Sequence, residues 1–194
     1  HPFELIEWER RSAKISGDWS AGYRLEVATS STFAAASLVA NFDNRDVGNT
    51  TTFAVTGLTA NTAYYYRLRA VNVAGTSANS NVVTATTLPA ITTGPQNKTV
   101  PAGQSQTTFT VVIPGAAPLA YQWFRNGTTL SNGGNVSGAT TATLVLSNVQ
   151  PADAATYSMV ASNSAGSVAS GPATLTVTAA GDDGTPQLRI HRPQ

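Results

Sequence analysis

Residues 66–75 read YRLRAVNVAG, and 91 residues further on, residues 157–166 read YSMVASNSAG. Tyr66 coincides with Tyr157, Ala70 with Ala161, Asn72 with Asn163, and Ala74–Gly75 with Ala165–Gly166; Leu68 is answered by Met159. Alternate positions leading up to the asparagine are apolar, the period of a strand with one buried face. Asn-x-Ala-Gly then supplies turn chemistry. A strand running into a hairpin, written twice at this spacing, implies two similar units within 194 residues. The tyrosines are read as core and corner residues, so the repeat is architecture.

The composition agrees. Hydrophobic residues make up 41%, while Ser and Thr number 45 and Asn 13. That mixture suits many short strands with polar outer faces and frequent turns. No sustained helical period occurs, and Gly, Pro and Asn punctuate the chain about every 8–12 residues, as in an all-β sandwich. The net charge is +1 and the bases do not cluster within the two units, so no nucleic-acid partner is expected. No apolar run approaches the roughly 18 residues of a membrane helix, so no membrane insertion is expected either. The first residues do not read as a secretory signal, and an export signal is expected to have been removed or not included. With no cysteine, disulfides, thiol catalysis and Cys-based metal sites are excluded. Sequons at Asn49, Asn97, Asn126 and Asn135 are expected by chance in so Asn- and Thr-rich a chain.

In the first unit, GYRLEVA sends Tyr23, Leu25 and Val27 one way and Arg24 and Glu26 the other. TTFAVTGL places Phe53 and Val55 inward, with Leu58 at the corner. AYYYRLRAVN puts Tyr64, Tyr66, Leu68 and Ala70 on one face and Tyr65, Arg67, Arg69 and Val71 on the other. The stretch LTANTAYYYRLRAVNVAGTSANSNVVTATT resembles the last strands of a bacterial fibronectin type III domain, over about residues 17–88. Leu58, Thr62 and Tyr64 stand at that family's spacing, and the resemblance makes Tyr64 a corner tyrosine bonded back to the backbone.

The second unit follows TTLPAITTGP, a Pro-containing linker. PLAYQWFRNGTTL and ATLVLSNVQPADAATYSMVASNSAG resemble an immunoglobulin-type domain of bacterial surface proteins. The resemblance makes Trp123 the core tryptophan. It sets Leu144, Leu146, Val149, Asp153 and Tyr157 along the strand and turn that lead to a tyrosine corner. The positions that carry the inter-sheet disulfide in antibody domains hold Val111 and Met159. Such a bridge is worth about 2–5 kcal/mol; buried aliphatic volume recovers part of it, at roughly 25 cal/mol per Å². The expected fold is all-β: two tandem Greek-key β-sandwiches, fibronectin type III-like over 1–88 and immunoglobulin-like over 89–179, with 180–194 a tail or linker.

The ends differ from the middle. HPFELIEWERRSAK carries six of the 21 charges and GDDGTPQLRIHRPQ four. FELIEW is expected to supply a strand with Ile6 and Trp8 inward, although residues 1–14 are atypical for the family and read as an altered or truncated start as readily as a natural one.

The best surface feature is the alternation Tyr65, Arg67, Arg69, where aromatic and guanidinium groups on a strand could stack on sugar rings. Trp19 is a further candidate contact. Against this, outward arginines commonly cover apolar surface with their stems. His1 and His191 are the two histidines; an N-terminal His and a second His could brace copper, but HPFELIEW does not resemble the start of such proteins. No His lies inside either unit to serve a Ser-His-Asp arrangement, and GDWSAG is not a G-x-S-x-G elbow. Between residues 15 and 180 the acids are Asp18, Glu26, Asp43, Asp46 and Asp153. Asp153 reads as a turn cap and Asp43/Asp46 as a loop pair, short of the six to eight oxygens Ca²⁺ wants. Gly133–Gly134 and the run around Gly115 read as hairpin turns.

The leading expectation is a non-catalytic module with no cofactor, acting as a spacer or adhesion element in a larger bacterial surface or secreted protein. Its partners would be a polysaccharide or another surface protein. One alternative is a carbohydrate-contacting accessory region of a polysaccharide-degrading enzyme. Another is a fibre subunit whose charged N-terminal segment completes a neighbour's sheet.

Overall fold

A computed structural model describes the backbone of residues 4–7 and all atoms of residues 21–180. The chain divides into two compact units. The first holds the residues up to Ala90 with Pro114–Pro118 and Ser162–Ser167; the second holds Ile91–Ile113, Leu119–Ala161 and the chain from Val168.

The first unit contains β1 (Glu4–Glu7), β2 (Gly22–Ala28), β3 (Arg45–Gly48), β4 (Thr52–Val55), β5 (Ala63–Asn72), β6 (Gly75–Thr76) and β7 (Val83–Thr86). Its larger sheet runs β3-β2-β5-β6, with β7 also on β5; β1 and β4 form the other sheet. β1 realises the strand expected in FELIEW, pairing Ile6 with Phe53 of β4; Trp8 lies outside the described residues. β2 and β5 run antiparallel with Leu25 opposite Leu68 and Glu26 opposite Arg67. Because side chains alternate, that register sends Tyr23, Leu25, Val27, Tyr64, Leu68 and Ala70 into one core with Phe42, Val47 and Val55. Fully burying each large side chain there contributes about 1.5–3 kcal/mol.

The strands that follow are β8 (Lys98–Pro101), β9 (Gln106–Thr110), β10 (Ala120–Arg125), β11 (Thr128–Thr129), β12 (Val136–Ser137), β13 (Thr143–Ser147), β14 (Ala155–Asn163), β15 (Gly166–Ala169) and β16 (Ala173–Thr178). One sheet runs β11-β10-β14-β16-β8, with β15 on β14; the other runs β12-β13-β9. β8 lies parallel to β16, Leu175 opposite Lys98, while β10–β11, β12–β13, β13–β9 and β14–β16 pair antiparallel. The core gathers Phe109, Val111, Trp123, Leu144, Leu146, Val149, Tyr157, Met159, Ala161, Ala173 and Leu175.

The two glycine runs behave differently. Gly133 and Val136 exchange N–H···O bonds of 2.9 and 3.0 Å, closing a tight turn into β12. Gly115, expected in a hairpin turn, instead sits in the crossing from the β9 end to β10, which belong to different sheets. Small residues and prolines serve a crossover as readily as a hairpin, and only strand pairing distinguishes the two.

Candidate functional site

The Tyr65–Arg67–Arg69 alternation lies on β5, on the face opposite the core, beside Arg24 and Glu26 of β2. Tyr65 is half-buried and pairs across the ladder with Thr84 and Ala28. Arg67 does not stand free. Its Nε donates to Glu26 Oε2, and its guanidinium carbon lies 4.1 Å from the centroid of the Phe33 ring. Its side chain is only 22% exposed and that of Glu26 11%. Arg69 Nη2 stands 4.0 Å from Glu26 Oε1, and its Nε donates to Asn79 Oδ1 at 2.6 Å. Arg24 reaches Asp46 at 3.4 Å, and Asp46 Oδ1 also accepts the Gly48 N–H at 2.9 Å. The stripe is therefore the outer wall of a sheet whose charges satisfy one another.

The corner of the second unit is built around Asp153, which sits in a single 3₁₀ turn, Pro151–Asp153. Asp153 Oδ2 accepts from the Gln150 N–H and from Asn135 Nδ2, both at 2.8 Å. Arg125 Nη1 stands 3.5 Å from its other oxygen. The Tyr157 hydroxyl donates to the Asp153 carbonyl at 2.8 Å. Burial raises the Tyr157 phenol above its ordinary value; the Arg125 hydrogen bond and charge pull it back, and the Asp153 charge adds to the rise. The Tyr157 ring stacks on Phe109 at 4.9 Å. Trp123, fully buried, spends its indole N–H on the Thr141 carbonyl at 2.9 Å. Val111 and Met159 are both buried in this core. In the first unit the Tyr64 hydroxyl accepts the Thr59 N–H at 2.9 Å, and Tyr66 packs half-buried against the core.

Hollows open on the surface of the described residues. One, of about 410 Å³, is bordered by Phe42, Arg45 and Phe53 in the first unit. Another, of about 470 Å³, is bordered by Lys98, Gln104, Gln106 and threonines of β8 and β9. Neither brings two carboxylates together. Among the described residues no group of three His, Asp or Glu side chains converges as a metal would need. His1, His191 and Trp19 lie outside the described residues, so the copper brace and the Trp19 contact find no geometry here.

Glu26 and Phe33 were the residues sequence reading passed over. Glu26 was recognised only as outward-facing, because its partner Arg67 lies 41 residues away and depends on the register of β2 with β5. Phe33 adopts φ 52° in the loop after β2, a conformation unusual for a non-glycine residue. The aromatic in a Ser/Thr loop was the available signal.

The Fibronectin type III domain family model matches residues 4–86, and the Immunoglobulin I-set domain model matches residues 89–177. Exoglucanase B of Cellulomonas fimi is 35% identical over 140 residues, which is 66% of this chain and 12% of that protein. Among solved structures, the titin I-band fragment I67–I69 is similar at 18% identity over 82% of this chain and 56% of its own, with a TM-score of 0.43. The tandem Ig repeats of Dlar are similar at 18% identity over 92% and 99%, also with a TM-score of 0.43. The two family matches follow one another along the strands described above, and the chain is a fibronectin type III domain followed by a cysteine-free immunoglobulin-like domain.

Proposed function

We propose that this tandem is a non-catalytic spacer or adhesion module of a larger extracellular protein, setting distance for the parts that act. The observation that carries the reading is the use made of the charged groups. Glu26, Asp46 and Asp153 are each held by arginines, and Asp46 and Asp153 also by backbone N–H groups. An acid or base in catalysis must instead be free to exchange a proton with a substrate. The test is to incubate the purified chain with soluble and insoluble polysaccharides, measuring released reducing ends and retention on the solid. Neither signal above an albumin control is expected; turnover would overturn the reading.

A second reading is favoured by the match to a protein named exoglucanase: a region of a polysaccharide-degrading enzyme that touches carbohydrate. It draws support from Tyr65, but Arg67 and Arg69 would have to leave Glu26 to bond a sugar. Retention on cellulose or xylan that disappears in a Tyr65→Ala, Arg67→Ala double variant would establish it. Strand exchange between subunits would require β1 to leave β4, with which it pairs in the same chain. Light scattering showing a concentration-independent monomer is the expected result.

A further inference from the structure

In the immunoglobulin-like domain, β8 ends one sheet and β9 ends the other. A hollow of about 470 Å³ lies between these two edge strands, bordered by Lys98 and Val100 of β8 and by Thr107 of β9. Side chains alternate along a strand. Lys98 therefore has the parity of Val100, which packs against the core, and Thr107 that of Phe109, which is buried in it. A lysine and a threonine stand where the pattern calls for apolar side chains, at the mouth between the sheets.

Neither is spent within the chain. Arg24, Arg67, Arg69 and Arg125 each stand within 4.0 Å of a carboxylate, whereas Lys98 has no such partner among the described residues. Thr107 is 6% exposed, and among the described residues its hydroxyl makes no hydrogen bond. Thr87, at 8% exposed, instead donates its hydroxyl to the Thr59 carbonyl at 2.7 Å. Among the described residues, the Asn72 amide nitrogen is the side-chain atom both sealed from solvent and unbonded. The unbonded Thr107 hydroxyl is thus open to solvent, at the hollow it borders. Thr99, Thr108 and Gln104 complete the lining with hydroxyl and amide groups that donate and accept alike.

We propose that this hollow binds a uronate unit of an acidic polysaccharide, its carboxylate on the Lys98 ammonium and a ring hydroxyl on Thr107. A cation set among hydroxyls and amides complements a carboxylate set among hydroxyls. An acidic peptide would bring the charge without the hydroxyls. The proposal rests on the reading of the chain as a non-catalytic adhesion module and names the chemistry of its partner.

The test is electrophoresis of the full chain through gels holding polygalacturonate, neutral dextran or polyglutamate. Retardation by polygalacturonate alone is expected. Lys98→Gln should weaken it about tenfold or more, and Thr107→Val, which removes only the hydroxyl, about fivefold. Thr107→Val should leave Tm unchanged or raised, because no bond inside the chain is lost. Arg45→Gln is the charge control: Arg45 is exposed, lies in the first unit and also has no carboxylate partner among the described residues. Its loss changes the net charge equally and should leave retardation unchanged. Equal weakening by Arg45→Gln would show diffuse attraction and overturn the site. Equal retardation by polyglutamate would also overturn it. So would free migration in polygalacturonate, the behaviour of a lysine that merely guards a sheet edge. None of these failures touches the non-catalytic reading, which falls only to turnover.

Discussion

Glu26 shows how much a single residue decides on the outer face of the first sandwich. It lies between two arginines of β5, and its side chain is almost as buried as the core beneath it. Removing one partner of a buried pair costs about 3–5 kcal/mol. Arg67 is 22% exposed and water screens part of the loss, so Glu26→Ala is expected to destabilise by about 1–3 kcal/mol in urea unfolding. An unchanged midpoint would show the pair to be decorative. Tyr157 gives a second prediction, with its sign fixed by burial. Its folded phenol holds its proton above the ordinary value of 10.0. The stability this contributes is therefore complete below pH 10 and is lost as pH rises through the higher folded value. Wild type should weaken more steeply than Tyr157→Phe in urea titrations taken from pH 9 to pH 11. At neutral pH the variant should lose about 1 kcal/mol, the hydrogen bond to the Asp153 carbonyl. Parallel alkaline curves would refute the assignment. Tyr157 as a corner residue was legible only through the resemblance to immunoglobulin-type domains; the Glu26 network was not legible at all, since local pattern gives the face of a residue but never its partner across the sheet.

At the scale of the element, alternation proved a dependable guide because each strand has one face that must be dry. β5 buries Tyr64, Leu68 and Ala70 as its period requires, and β13 buries Leu144 and Leu146 while Thr143 and Val145 are half-buried and Ser147 is exposed. Turns were less legible. Gly115 has the composition of a hairpin and the position of a crossover, since which strands pair is settled by tertiary packing. Gly138 is a turn whose need for glycine is steric as well as conformational. Its φ is +75°, and a Cβ there would meet the Thr143 carbonyl oxygen at 2.1 Å. The neighbouring Thr141 N–H donates to the Gly138 carbonyl at 3.0 Å, so the loop that carries Ala139 into the core is tightly closed. Backbone in this region costs a non-glycine residue about 1–3 kcal/mol before any clash. Gly138→Ala should therefore lower the unfolding free energy by at least about 2 kcal/mol. Gly171, which has no atom within 4 Å of its added Cβ and no left-handed φ, should accept alanine with little change.

For the whole molecule, the decisive property is that two hydrophobic clusters form and share no residue. Two tandem sandwiches were legible from the duplicated strand because each copy needed its own apolar partners. Val111 and Met159, which the resemblance to immunoglobulin-type domains sets at the bridge positions, are both buried in the second cluster, and the chain has no cysteine. The stability of that unit should then depend on their volume and be indifferent to reductant. Met159→Ala removes a fully buried side chain, a change that costs about 2–5 kcal/mol in protein cores. Leu25→Ala does the same in the other cluster. Scanning calorimetry should resolve two heat-absorbing events, with Met159→Ala moving one and Leu25→Ala moving the other. If both substitutions shifted a single peak together, the clusters would be acting as one cooperative core, and a chain that sets distance through separately stable modules would no longer be the right description.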